Sequence, residues 1–130
     1  AVSALRDFHG MGFTHGDAMA ENVLVDLDAG VAHWFDFETL HDSNRSRLWC
    51  HADDLRALLT TCLLHTNPDH FVETLYLILD DYANEEVNRL LASQFTTIWH
   101  RSLPFHLAQA PLSFQMFDKI AHLLKEYLGK

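Results

Sequence analysis

The spacing of hydrophobic positions changes character near residue 50. Before it, apolar residues come in short runs of four or five. After it, they recur three and four apart. In the opening stretch, residues 2–9, Val2, Leu5, Phe8 and His9 fall on one helical face, and Gly10 and Gly12 supply the stop. Met11 and Phe13 are then expected to turn inward beneath the loop that follows. Residues 23–27 and 31–35 are two apolar runs flanking Asp28-Ala29-Gly30, which predicts an antiparallel hairpin. In the second run Val31, His33 and Phe35 share one face and Ala32 and Trp34 the other. Residues 39–50, with Asp42, Ser43, Asn44, Arg45, Ser46 and Arg47, read as a solvated loop.

The helical pattern starts at residues 52–65, where Leu55, Leu58, Leu59, Cys62 and Leu63 form a stripe and Asp53 and Asp54 occupy the expected first turn. Asn67-Pro68 begins the next helix, with Phe71, Leu75, Ile78, Leu79 and Tyr82 inward. Asn84-Glu85-Glu86 opens a third, with Val87, Leu90, Leu91, Phe95, Ile98 and Trp99 inward and Pro104 as its break. Residues 105–110 are read as one further turn. Pro111 and Ser113 open the last helix, with Phe117, Ile120, Ala121, Leu124 and Leu128 inward and Gly129 after it. The expectation is one domain or part of one, mainly α with one β-hairpin, of the α+β class.

Composition narrows what such a domain does. Hydrophobic residues make up 48% of the 130, enough for a real core. Nine Lys and Arg against eighteen Asp and Glu leave a formal net charge of −9, which argues against nucleic acid or an anionic membrane surface as partner. No apolar run approaches a membrane span. Cys50 and Cys62, if a helix joins them, lie about 18 Å apart along its axis, too far to bridge. They read as reduced, buried thiols of a cytoplasmic protein. His33, alone on a strand, reads as a packed or edge residue. The pair His41-Asp42 lies in a polar loop, where it makes a poor zinc site despite ten histidines in the chain.

The candidate chemistry sits at the two ends of the hairpin. The entry to one strand and the exit from the other lie side by side, so Asp17, Asn22 and Asp36 should converge. Asn22 and Asp36 offer oxygen ligands only, which suits Mg²⁺ better than Zn²⁺. Asp17, on the loop leading in, is placed to orient or deprotonate a hydroxyl.

His15-Gly16-Asp17-x-x-x-x-Asn22, then a hairpin, then Asp36-Phe37-Glu38 resembles the catalytic and metal loops of the protein-kinase-like superfamily. Gly16 and Glu38 are similar to its small-molecule branch: aminoglycoside, choline and homoserine phosphotransferases and lipopolysaccharide sugar kinases. The resemblance implies a C-terminal (large) lobe with catalytic loop 15–22, hairpin 23–35, metal loop 36–38 and helical subdomain 51–128. It makes Asp17 the catalytic base, Asn22, Asp36 and Glu38 metal ligands, and His15 and Asp54 supports of the loop. Met19 departs from the family, whose members commonly have Lys or His there. The implied cofactor is Mg²⁺ with ATP as co-substrate, and the implied acceptor a small molecule or sugar bearing a hydroxyl. On this resemblance the N-terminal lobe is expected to be absent from these 130 residues, since no G-x-G-x-x-G or Val-Ala-x-Lys strand precedes the loop, and Lys119, Lys125 and Lys130 are the lysines. Self-association through the apolar surface that lobe would cover is therefore expected. The rival reading is a non-catalytic kinase-like binding domain.

Overall fold

The computed structural model describes residues 1–96 and 112–129. Helix α1 (Val2–Gly10) leads through a loop and a short 3-10 turn (Ala20–Asn22) into strands β1 (Val23–Asp26) and β2 (Val31–Trp34). Then come α2 (Arg47–His65), a 3-10 turn (Pro68–His70), α3 (Phe71–Tyr82), α4 (Glu85–Gln94) and α5 (Phe114–Leu128). The described residues are mainly helical with one two-stranded antiparallel sheet, an α+β arrangement.

The strands pair Val23 with Trp34 and Asp26 with Val31. Each is one residue shorter than its apolar run. The turn is closed by Asp26 Oδ1, which accepts the N–H of Asp28 at 3.0 Å and of Ala29 at 2.9 Å, and Gly30 takes the left-handed φ of 66° that the turn requires. Ala32 and Trp34 are half-buried against α1, while Val31 and His33 face outward.

Helix α2 starts at Arg47, five residues before the stripe predicts, so the loop is shorter and the helical body longer than expected. The Ser46 hydroxyl caps it, accepting the Trp49 N–H at 3.2 Å. Polar residues around 44–47 hid that cap. Asp53 and Asp54 consequently sit in the second turn, where the helix dipole no longer explains them. Nor is α2 a one-sided amphipathic helix: His51, Asp54, Arg56, Thr60 and Thr61 are buried alongside its leucines.

The main core joins Leu55, Leu59, Leu75, Leu79, Leu91 and Ile120 with other residues of α2 to α5. Each such side chain contributes about 1.5–3 kcal/mol on burial. Caps fall on Asn67, Asn84 and Ser113, whose side chains accept from Asp69, Val87 and Met116. Helix α4 ends at Gln94, because Thr96 turns back on Ser93 O through both its N–H and its hydroxyl. Ile98, Trp99, Pro104, the turn at 105–110 and Pro111 lie outside the described residues. Leu128 is half-buried rather than inward, and so is Cys62. Both cysteines are free.

Met11 and Phe13 do not turn inward; they are 67% and 56% exposed. Phe13 stacks on Phe8, which meets Phe37, and Met11 lines a cleft of about 640 Å³ between α1 and the hairpin. The space under the loop is filled instead by Leu5, Ala18 and Leu58. No helix of the described residues is long and apolar enough to cross a membrane.

Candidate active site

Helix α2 holds the loop that carries Asp17. Asp54 accepts the backbone N–H of His15 at 2.7 Å on one oxygen and that of Gly16 at 2.8 Å on the other. Thr61, two turns along, accepts the N–H of Ala20 at 2.8 Å. The loop is therefore pinned at both ends by one rigid element. Gly16 is needed for two reasons. Its φ is 85°, and a Cβ there would lie 2.3 Å from the Thr39 carbonyl oxygen.

His15 joins this loop to the exit of the hairpin. A carbonyl only accepts, so Nε2 carries the proton and donates to Phe35 O at 2.9 Å. Nδ1 is then bare and accepts the Asp17 N–H at 3.3 Å. The ring packs against Trp34 and Phe37. Asn22 makes the second clamp. Its Nδ2 donates to Asp17 O at 2.9 Å and to Asp17 Oδ2 at 3.0 Å, while its carbonyl accepts the Phe35 N–H at 3.1 Å.

The structure thus brings His15, Asp17, Asn22 and Asp54 into one hydrogen-bonded unit. Asp36 leaves the hairpin directly after Phe35, which is bonded through both its peptide groups to Asn22 and His15. Its φ of 62° is uncommon for a residue other than glycine, a local strain of the kind found at functional sites. Glu38 is exposed, and no hydrogen bond ties it to the others among the described residues.

A metal at this end would need oxygen donors. Both bonds of the Asn22 amide nitrogen go to Asp17, which leaves Oδ1, the atom a hard cation takes, as the remaining polar atom. Among the described residues no group of three or more His, Cys, Asp and Glu side chains is placed to hold a metal ion. Mg²⁺ seldom needs one, since it keeps waters and binds through one or two carboxylates plus phosphate.

Beneath Asp17 lies a small cavity of about 50 Å³ that also includes Gly16, Met19, Asp53, Arg56 and Thr60. Arg56 donates to Asp53 Oδ1 through Nη2 at 2.8 Å and Nε at 3.1 Å. His41 Nε2 lies 3.4 Å from Asp53 Oδ2 and 3.5 Å from Asp54 Oδ1. Burial pushes the Asp53 carboxyl up, but His41 and Arg56 outweigh it and hold it below the usual range. Asp53 in turn raises the His41 pKa against burial, helped by Asp54.

Sequence reasoning placed His9 and Tyr82 on inward faces without giving them a role and passed over His51; all three are buried around Asp54. Their polar tips on apolar stripes were the available signal, because a buried imidazole or phenol needs a partner. Comparisons with protein-family models, curated proteins and solved structures give no match for this chain.

Proposed function

We propose that the chain is the large lobe of a kinase-like, ATP-dependent phosphotransferase that moves the γ-phosphate to a hydroxyl of a small molecule or sugar. The observation that carries this reading is the clamped unit at the hairpin. One buried carboxylate holds His15 and Gly16, and Asn22 fixes both the backbone and the side chain of Asp17. Phosphoryl transfer depends on positioning and electrostatics more than on covalent chemistry by the protein, and that unit is a positioning device. Asp17 accepts the proton of the acceptor hydroxyl. Asn22 and Asp36, with Glu38, would hold Mg²⁺, which neutralises phosphate charge when bound. His15 and Asp54 keep the two loops in register.

Neither a Gly-rich phosphate loop nor its Lys occurs in these 130 residues. Alone, the chain is expected to bind Mg²⁺ weakly and to turn over no ATP. Joined to a small lobe, it should phosphorylate members of a panel of aminoglycosides, amino alcohols and sugars. Asp36→Ala should abolish metal-dependent nucleotide binding. Asp17→Ala should leave binding intact and cut turnover by roughly 10²–10⁴, the scale of a general base. Full activity in the Asp17 variant would refute the assignment. The exposed Leu24, Val25, Leu27 and Phe35 are where the small lobe would pack. In its absence a second copy should take that surface, which light scattering reads as association rising with concentration. A strict monomer at high concentration counts against this.

A further inference from the structure

A buried polar chain runs from α3 to the loop that carries Asp17. Tyr82 Oη lies 2.7 Å from His9 Nδ1, and His9 Nε2 lies 3.0 Å from Asp54 Oδ2. All three residues are at most 5% exposed. At its far end, Asp54 grips the backbone of His15 and Gly16. Residues 28 to 73 apart in sequence, on α1, α2 and α3, therefore meet at one ring.

The proton positions follow from what each group can do. Asp54 already accepts two backbone N–H groups, so toward His9 it acts as an acceptor and Nε2 carries the proton. The neutral ring then has a bare Nδ1, and the Tyr82 hydroxyl donates to it. The opposite tautomer would set a bare Nε2 against a carboxylate, lone pair facing lone pair. His51 completes the arrangement. Its ring lies parallel to that of His9, with centroids 4.0 Å apart and planes at 6°. Burial above all pushes its pKa down to about 4. At neutral pH His51 is an uncharged lid, and its buried Nε2 makes no hydrogen bond.

We propose that Tyr82 is a positioning residue for the Asp17 loop, its hydroxyl holding His9 in the Nε2–H tautomer that orients Asp54 and, through it, the N–H groups of His15 and Gly16. Its consequence for turnover rests on the phosphotransferase reading above; the relay itself does not.

Tyr82→Phe removes one oxygen and keeps the ring, so the packing of the helices stays. Imidazole ¹⁵N shifts of the 130-residue chain should show His9 protonated on Nε2 alone, and a mixture of tautomers in the variant. Hydrogen exchange at the His15 and Gly16 amides should rise about tenfold or more, the scale of one lost buried hydrogen bond. The Leu59 and Leu79 amides, deep in the core, should rise much less. An equal rise at all four amides would mean general loosening and would overturn the proposal. So would unchanged tautomer and exchange. If the variant unfolds, His51→Phe tests the same chain: it preserves the stack and should leave the His9 tautomer as it was, and a changed tautomer there counts against the proposal. In the enzyme with its small lobe, Tyr82→Phe should lower kcat severalfold with little change in KM for ATP. If Asp17→Ala leaves transfer intact, the phosphotransferase reading fails while the NMR result still decides the role of Tyr82.

Discussion

The helical body and the loop-and-hairpin end of the molecule are held together by different forces. In the body, apolar side chains such as Leu55, Leu79, Leu91, Phe117 and Ile120 are buried and the caps satisfy the helix ends. At the other end, Leu24, Leu27 and Leu40 are 65%, 87% and 85% exposed, and the small cluster of Leu5, Ala18 and Leu58 is the local core. Order in that region comes from hydrogen bonds to α2, above all those of Asp54. Helix α2 belongs to both regions, with one face in the leucine core and another carrying the polar groups that hold the loop. Burial is non-directional and tolerates small shifts, whereas the hydrogen bonds place atoms to within tenths of an ångström. A positioning site is thus fastened by polar bonds to an element that apolar packing has made rigid.

The sharpest way to break this contrast is Asp54→Ala. It strips the acceptor from His9, His15 and Gly16 at once, and should cost roughly 3–5 kcal/mol in urea unfolding, as for removal of a buried charged partner. Leu79→Ala should cost a similar amount, about 2–5 kcal/mol, through a cavity. The two separate by hydrogen exchange: the first frees the Gly16 amide well before the core opens, and the second weakens every protected amide alike. Gly16→Ala comes next, at about 1–3 kcal/mol, because a left-handed φ and the Thr39 carbonyl both oppose the methyl group.

Acid should loosen the junction between the regions. The folded pKa of His51 is depressed to about 4 from an ordinary 6.5, so the unfolded chain binds the proton first as pH falls between these values. The stability that His51 contributes is present above 6.5 and declines toward 4. The loss from pH 7 to about pH 4.5 should be about 2 kcal/mol, and His51→Phe should remove that slope from a pH series of urea melts. His41, with a raised pKa, acts in the opposite sense and at higher pH: its contribution is complete below 6.5 and is lost as pH rises through its folded value. Asp53, held below 3.8, loses its contribution only in stronger acid. The smallest effect belongs to the body alone. Ala83 ends α3 at a φ of 52°, where glycine is unstrained, so Ala83→Gly should stabilise the chain by about 1 kcal/mol without touching the Gly16 amide.

The helices were legible in the amino-acid sequence because period 3.6 and the caps at Asn67, Asn84 and Ser113 are local properties of neighbouring residues. The hairpin was legible for the same reason, as two apolar runs around Asp28-Ala29-Gly30. The start of α2 was misjudged because a polar first turn looks the same whether it is helix or loop, and Met11 and Phe13 because hydrophobicity alone does not say which side of a turn faces the core. The tertiary structure decided everything that joins distant residues. It moved Asp54 from the expected first turn to the second, where it grips the backbone of His15 and Gly16 as the loop support the family resemblance implied, made Gly16 necessary through the approach of Thr39, and set Tyr82 against His9 across 73 residues. Sequence spacing carries the energy of local structure. Hydrogen bonds between α1, α2 and α3 depend on how three helices cross, and that is settled only when their apolar faces have packed.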